Sequence, residues 1–201
     1  MKLSEKFLIV DQVNQINQMT LRIETERLTL RPMLMSDVED LYEYQSNPQI
    51  VRYIPWPART MEQVKEAAIK TIETGKFHLQ EINDSIVLVW ELKNSGKVIG
   101  QSNMGLISKE HKTSNIGWVT HQDFQNKGYA FEATKSLLAY AFIYFDLHRV
   151  IADIDTRVQI SANLAEKLGM RREGTFVEGE FFKGEWCDMW LYSILKREFS
   201  A

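Results

Sequence analysis

A mixed α/β sheet is the fold class this sequence predicts, and three features carry the prediction. Strand-like and helix-like segments follow in the order β-α-α-β-β-β-α-β-α-β-β, grouped strands first and alternation later. The helical segments repeat apolar residues three and four apart, whereas the strand segments alternate. One segment, "RVIADID" (149–155), is nearly all apolar, as a buried central strand should be. Neither a repeat nor a linker interrupts the series.

Each element has its own justification. Residues 1–20 are polar and rich in Gln and Asn, with weak spacing of Leu8, Val13 and Ile16. They are expected to form an extension outside the main core, leaving 21–198 as the domain. "RLTLRPM" sets Leu28 and Leu30 on one side of a strand. "SDVEDLYEYQSNP" starts a helix at Ser36 as N-cap with Glu39 as its capping-box partner, and Pro48 blocks continuation. "YIPWP" (53–57) is a rigid aromatic loop. "TMEQVKEAAIKTIETG" carries Met61, Val64, Ala68 and Ile72 at helical spacing, with Gly75 as its stop.

Three strands come next, "SIVLVWEL", "KVIGQSNMGLI" and "TSNIGWVT", separated by polar turns of which "KNSG" is the first. Past "FQNKG", the residues Ala130, Thr134, Leu137, Leu138, Ala141, Phe142 and Phe145 form one broad apolar stripe of a helix. After "RVIADID", the segment "ISANLAEKLG" repeats Ile160, Leu164 and Leu168 every fourth residue, and Gly169 closes it. Two last strands, "RREGTFVEG" and "EWCDMWLYSIL", flank a turn at "EFFKG".

Bulk properties exclude several function classes. A chain of 201 residues suits one domain with a short appendage, and 44% apolar with 25% charged residues is a globular composition. A net charge of -3 with no dense run of Lys and Arg gives no electrostatic reason for a nucleic-acid partner. The single Cys187 rules out an internal disulfide and a Cys-based metal cage, which fits a reducing cytoplasm. The apolar cluster from Phe7 to Val10 is shorter than the core of a signal peptide. "LLAYAFIYF" (137–145) falls well under the ~20 residues that span a bilayer. A soluble cytoplasmic protein with no membrane partner is expected.

The stretch "FQNKGYA" (124–130) lies between a strand and an amphipathic helix. A helix start leaves four N–H groups unpaired and carries partial positive charge, so it can receive an anion. Gly128 lets a ligand approach the backbone, Lys127 adds a cation, and Gln125 and Asn126 suit a tight loop. An ordinary strand-to-helix turn would use the same residue types. The other common phosphate loops, G-x-x-x-x-G-K-[ST] and G-x-G-x-x-G, do not occur.

The surroundings of that stretch resemble the GNAT superfamily of acyl-CoA-dependent N-acetyltransferases. The likeness is closest to the branch that acetylates the N-terminal amines of ribosomal proteins. "TERLTLRP", "IGWVTHQDFQNKGYAFEA", "SANLAEKLGMRREG" and "GEWCDMWLYSILKREF" carry it, in the family's order and spacing, over residues 21 to 198. The resemblance implies a mixed, mostly antiparallel sheet with splayed central strands and flanking helices. It also implies acetyl-CoA as donor and no metal. The N–H groups of Gln125, Asn126, Lys127, Gly128, Tyr129 and Ala130 would take the diphosphate. Main-chain groups of Trp118, Val119 and Thr120 would pair with the pantetheine arm like a further strand.

Amine acylation needs a neutral amine, close reactants and stabilised charge. Where the family often has a carboxylate ahead of the Ile-Gly-aromatic segment, this chain has Asn115, which cannot act as a base. His121, Glu180, Asp188 and Asp155 are substitutes, alongside a water-relayed proton or direct capture of the neutral amine. Val158 stands where the family often has an Asn three residues before a Ser, but the Ser is present as Ser161. By the resemblance Ser161 would support the leaving thiolate; the plain alternative is a helix cap. Tyr53, Trp56 and Trp186 fall where the acceptor would enter. Glu178, Glu180, Glu185 and Asp188 could attract a cationic amine.

The expected partners are therefore CoA and an amine, with a ribosomal-protein-like N-terminus favoured and a homodimer left open. A small-molecule amine acceptor and a non-catalytic CoA-binding sensor are the alternatives.

Overall fold

The computed structural model describes residues 21–200, so the expected extension at 1–20 lies outside the described residues. Strands β1 (Ile23–Glu24) and β2 (Leu28–Pro32) lead into helices α1 (Val38–Gln45) and α2 (Met61–Thr74). A meander of β3 (Ser85–Leu92), β4 (Val98–Ser108) and β5 (Thr113–Thr120) follows. Then come α3 (Tyr129–Tyr144), β6 (Arg149–Asp155), α4 (Gln159–Lys167) and the hairpin of β7 (Arg171–Phe182) and β8 (Glu185–Leu195).

The eight strands among the described residues join one sheet in the order β1-β2-β3-β4-β5-β6-β8-β7. Every neighbouring pair is antiparallel except β5 and β6, which run parallel. That parallel pairing covers only Thr113–Asn115 against Arg149–Ile151 and then stops. From Ile116 and Ala152 onward the two strands have no ladder between them. A sheet parted at the carboxyl ends of parallel strands is where α/β proteins place ligands.

The sheet forms the middle of three layers because its strands alternate. Ile86, Leu88 and Trp90 of β3 belong to one apolar cluster with Leu137, Leu138 and Ala141 of α3 and Ala162 and Ala165 of α4. Val89, between them, joins Leu41 of α1, Val64 and Ala68 of α2 and Val119 of β5 on the other face. Trp90 is fully buried and its indole N–H donates to Ser102 Oγ at 3.0 Å, so it carries no unmet donor into the core.

Several local expectations need correction. Ser36 does not cap α1; the buried Asp37 carboxylate accepts from the Leu34 N–H at 2.7 Å and pairs with Arg31 through two 2.8 Å contacts. Gly75 does end α2 as expected, but at φ −57, outside the left-handed region, and a Cβ there would lie 2.7 Å from Thr71 O. Close approach to that carbonyl, not backbone handedness, is what requires glycine. In α4 the sheet-facing residues are Ala162 and Ala165, with Leu168 buried just beyond, while Ile160 is half-exposed. Small side chains let the helix sit close to the strands, and Ile160 and Leu164 face the cleft described below. The last turn is only Lys183 and Gly184, both at positive φ, because β7 continues through Phe182. Such a two-residue turn matches the twist of a hairpin.

Gly169 closes α4 at φ +87, with Met170 N–H bonded to Ala165 O at 3.0 Å. Among the described residues no helix is long and apolar enough to cross a membrane. Nor does any group of three His, Cys, Asp or Glu among them have the geometry to hold a metal ion.

Candidate active site

The loop into α3 is shaped by two left-handed residues, Asn126 at φ 59 and Gly128 at φ 83. That alternation turns successive N–H groups toward one side, as in a main-chain anion nest. The N–H groups from Asn126 to Phe131 make no hydrogen bond among the described residues. Gln125 departs from the expectation. Its N–H is taken by Gln122 O at 3.3 Å, and its side-chain amide donates to Thr120 O at 3.2 Å. It therefore anchors the loop, and the free donors begin at Asn126. The Lys127 side chain is exposed and lies 5.4 Å from the Phe124 ring.

A lock from the start of the domain holds this loop. Arg27 Nη1 donates to Lys127 O at 3.0 Å, and its Nε donates to Glu132 Oε2 at 2.6 Å. Thr25 Oγ1 and the Arg27 N–H donate to the other Glu132 oxygen at 2.6 and 2.7 Å. Burial pushes the Glu132 carboxyl up, but these bonds outweigh it and hold the net shift down. Arg27 thereby neutralises a carboxylate that would oppose an anion in the first turn of α3. Nothing local in "TERLTLRP" or "YAFEA" signals that Arg27 and Glu132 meet, because 105 residues separate them.

Beside the loop, β5 offers an open edge. The His121 N–H donates to Ile99 O at 2.9 Å, which fixes the alternation of the antiparallel β4–β5 ladder. Val119 and Gly117 consequently turn their main-chain groups to β4, while Ile116, Trp118 and Thr120 turn theirs to the parted side. The expectation for Val119 is thus corrected: its N–H and C=O are spent on β4. Trp118 and Thr120 face the opening, though Thr120 O already receives Gln125.

The parting between β5 and β6 opens a cleft of about 1360 Å³. Gln125, Asn126, Gly128, Tyr129 and Ala130 line one end, and Ser161 of α4 lines it too. Tyr53, Trp56, Phe182 and Met189 add apolar wall, and Asp153, Asp155 and Glu180 are its acids. Trp186 is not there; it stands exposed on the hairpin against Phe181, with ring centroids 5.2 Å apart.

The candidate proton acceptors separate clearly. His121 is buried, with Nε2 2.9 Å from Glu43 and Nδ1 accepting from the Asp123 N–H at 3.2 Å, a structural role. Asn115 Oδ1 accepts from the Gly105 N–H at 3.0 Å and latches β4 to β5. Asp188 Oδ1 accepts from the Glu178 N–H at 2.8 Å in the hairpin, outside the cleft. Burial pushes Asp155 up, yet the Arg157 guanidinium, bonded at 2.8 and 2.6 Å, brings it down overall.

Glu180 differs from all of these. Although Glu180 is largely exposed, the desolvation it does meet at the cleft raises its carboxyl, and the negative charges of Asp153 and Asp155 raise it further. Asp153 is exposed to the cleft, and partial desolvation there raises its carboxyl too. The reason it was missed is that "RVIADID" looks like pure core; Asp153 sits on the face opposite Ala152 and Ile154.

Ser161 does not cap α4 through its side chain. The N-terminal position is held by Val158, whose carbonyl accepts the Ser161 N–H at 3.0 Å, and the hydroxyl has no partner among the described residues.

Comparison with known proteins places this architecture. Residues 27–171 match the acetyltransferase (GNAT) domain. An uncharacterized N-acetyltransferase of Bacillus subtilis, YnaD, is 33% identical over 180 residues, covering 90% of this chain and all of that one. The crystal structure of a GNAT-family acetyltransferase from Bacillus anthracis superposes with a TM-score of 0.79 at 32% identity, over 89% of this chain and 100% of that one. A spermidine N-acetyltransferase from Vibrio cholerae, solved with CoA and spermine, shares the fold with a TM-score of 0.71 at 23% identity, over 86% of this chain and 97% of that one. The match runs through the parted strands, the loop at Gly128 and helix α4 alike, and the chain belongs to the GNAT family of N-acetyltransferases.

Proposed function

We propose that the enzyme transfers the acetyl group of acetyl-CoA to the N-terminal amine of a protein or peptide, with residues 21–198 as the transferase domain. The observation that carries the site assignment is the run of unpartnered N–H groups from Asn126 to Phe131 beside the open edge of β5. Six unpartnered donors at a helix start suit the CoA diphosphate, and Trp118 suits the amides of the pantetheine arm. The thioester then reaches the point where β5 and β6 part, near Ser161. A cytoplasmic location agrees with the lone, buried Cys187.

The reaction asks little of the chain. The neutral amine attacks the thioester carbonyl, a C–N bond forms, the C–S bond breaks, and the amine loses one proton. Glu180 is the residue proposed to take that proton, directly or through a water. The Ser161 hydroxyl, free of other partners, hydrogen-bonds the departing sulfur, which leaves as the thiolate of CoA and takes up a proton from solvent, while Glu180 returns its own proton to solvent. An N-terminal amine suits this site because its pKa of ~7.7–8.0 leaves a useful neutral fraction near pH 7, against ~10.4 for lysine.

A second reading, acetylation of a polyamine, draws on the three carboxylates of the cleft. Mass spectrometry on free-amino-terminus peptides, internal-lysine peptides and polyamines under equal conditions separates the two. Acetylation at peptide termini is expected; product on polyamines alone would reject the peptide reading.

Ser161→Ala is expected to lower kcat by about tenfold with less than a twofold change in the KM for acetyl-CoA, because support of a leaving thiolate acts in the transition state. Unchanged turnover, or a loss that merely tracks melting temperature, would leave the hydroxyl without a catalytic role.

A further inference from the structure

The cleft has a second, oppositely charged wall. All three acids that line it come from β6 and β7, and among the described residues α1, α2 and the loop joining them contribute none. That wall holds Arg59 instead. Its Nη1 donates to Gln45 Oε1 at 2.7 Å, its own N–H donates to Gln45 O at 3.0 Å, and its guanidinium stacks 5.1 Å from the Trp56 ring.

Gln45 is itself buried and bonded to Gln101 Oε1 at 3.2 Å, which also accepts from Tyr44 Oη at 2.9 Å. The guanidinium is therefore fixed in place. Nε and Nη2 have no partner among the described residues, and Arg59 forms no ion pair among them. Arg157, the other arginine lining the cleft, is paired with both Asp155 and Glu185.

A half-buried guanidinium without a counter-ion is costly to maintain. Burial also pulls its proton affinity down with no carboxylate to restore it. The planar fork that remains free matches a carboxylate.

We infer that the acceptor carries a carboxylate in addition to its amine, and that Arg59 receives it while Asp153 and Glu180 face the amine. The inference rests on the peptide reading above and narrows it: acceptors are peptides with an acidic side chain or a free carboxyl group near the N-terminus. A polyamine has nothing to offer Arg59.

The test uses the full chain and matched peptides beginning Ala-Glu or Ala-Gln, each with a free or an amidated carboxyl terminus. Wild type is expected to show at least tenfold higher kcat/KM on members with a carboxylate than on their neutral counterparts. Arg59→Met should reduce that ratio below threefold, and Arg59→Lys, which keeps the charge but not the fork, should recover part of it.

The melting temperature and the KM for acetyl-CoA are read alongside, because a merely structural Arg59 would lower both peptide classes together. Equal use of acidic and neutral peptides by wild type, or an undiminished preference in Arg59→Met, overturns the role of Arg59 alone. Turnover of no peptide overturns both it and the peptide reading.

Discussion

Gly128→Glu is expected to abolish the rise in melting temperature that CoA produces in the wild-type protein. Two effects act together at this position. A residue with a side chain is strained at φ +83, and a Cβ there would lie 3.3 Å from Arg27 Nη2. The new carboxylate would also stand in the nest proposed for the diphosphate, where Coulomb repulsion replaces attraction. At about 100 times its dissociation constant a ligand stabilises by ~2.7 kcal/mol, which a thermal scan resolves easily. Gly128→Ala serves as the control, because it keeps most of the backbone strain without the charge. It should melt at a similar temperature to Gly128→Glu and retain part of the CoA shift. A full shift in Gly128→Glu would reduce the loop to a turn.

Much of this site is written in short-range sequence, and its gaps have physical causes. The head of α3 is legible because glycine and amide residues between a strand and an apolar stripe admit few structures. What joins that loop to residues 25–27 is not legible, because Arg27 and Glu132 are 105 residues apart and only the sheet brings β2 beside α3. Spacing found the existence of α4 but misjudged its buried face. Ile160 looked like core but is half-exposed, while Ala162 and Ala165 pack on the sheet and Leu164 packs partly buried beside them, since close helix docking favours small residues over large ones.

The same limit hid Asp153. On a strand buried on one face and lining a cleft on the other, an alternating Asp reads as noise within an apolar run. Arg59 was invisible for a related reason: a lone arginine after "YIPWPA" gains meaning only from the absence of an acid beside it, which is a tertiary fact.

The proton acceptor is where the second large effect is expected. Asn115 is committed to the Gly105 N–H, so the carboxylate that the family often places there is not replaced in kind. Glu180 lies across the cleft, on a strand from the other half of the sheet. Its raised carboxyl fits the task, since a base is most effective when its pKa approaches the working pH. Only the ionised form accepts a proton, so activity should fall as pH drops through a value above the ordinary glutamate pKa of ~4.3. Glu180→Gln should lower kcat by about a hundredfold or more and remove that acid limb, while the KM for acetyl-CoA stays within about threefold.

Stability moves the other way and separates the two causes of lost activity. A glutamate with a raised native pKa favours the folded state most when protonated, and this contribution is lost as pH rises from the unfolded to the folded pKa. At neutral pH the glutamine variant, relieved of a charge facing Asp153 and Asp155, should therefore melt no lower than wild type. Asp153 interacts with Glu180, so the limb belongs to the pair, and Asp153→Asn is expected to shift it downward with a smaller loss of rate. Should Asp153→Asn remove the limb and Glu180→Gln merely shift it, the base is Asp153; a limb unmoved in both variants would leave capture of the neutral amine as the mechanism.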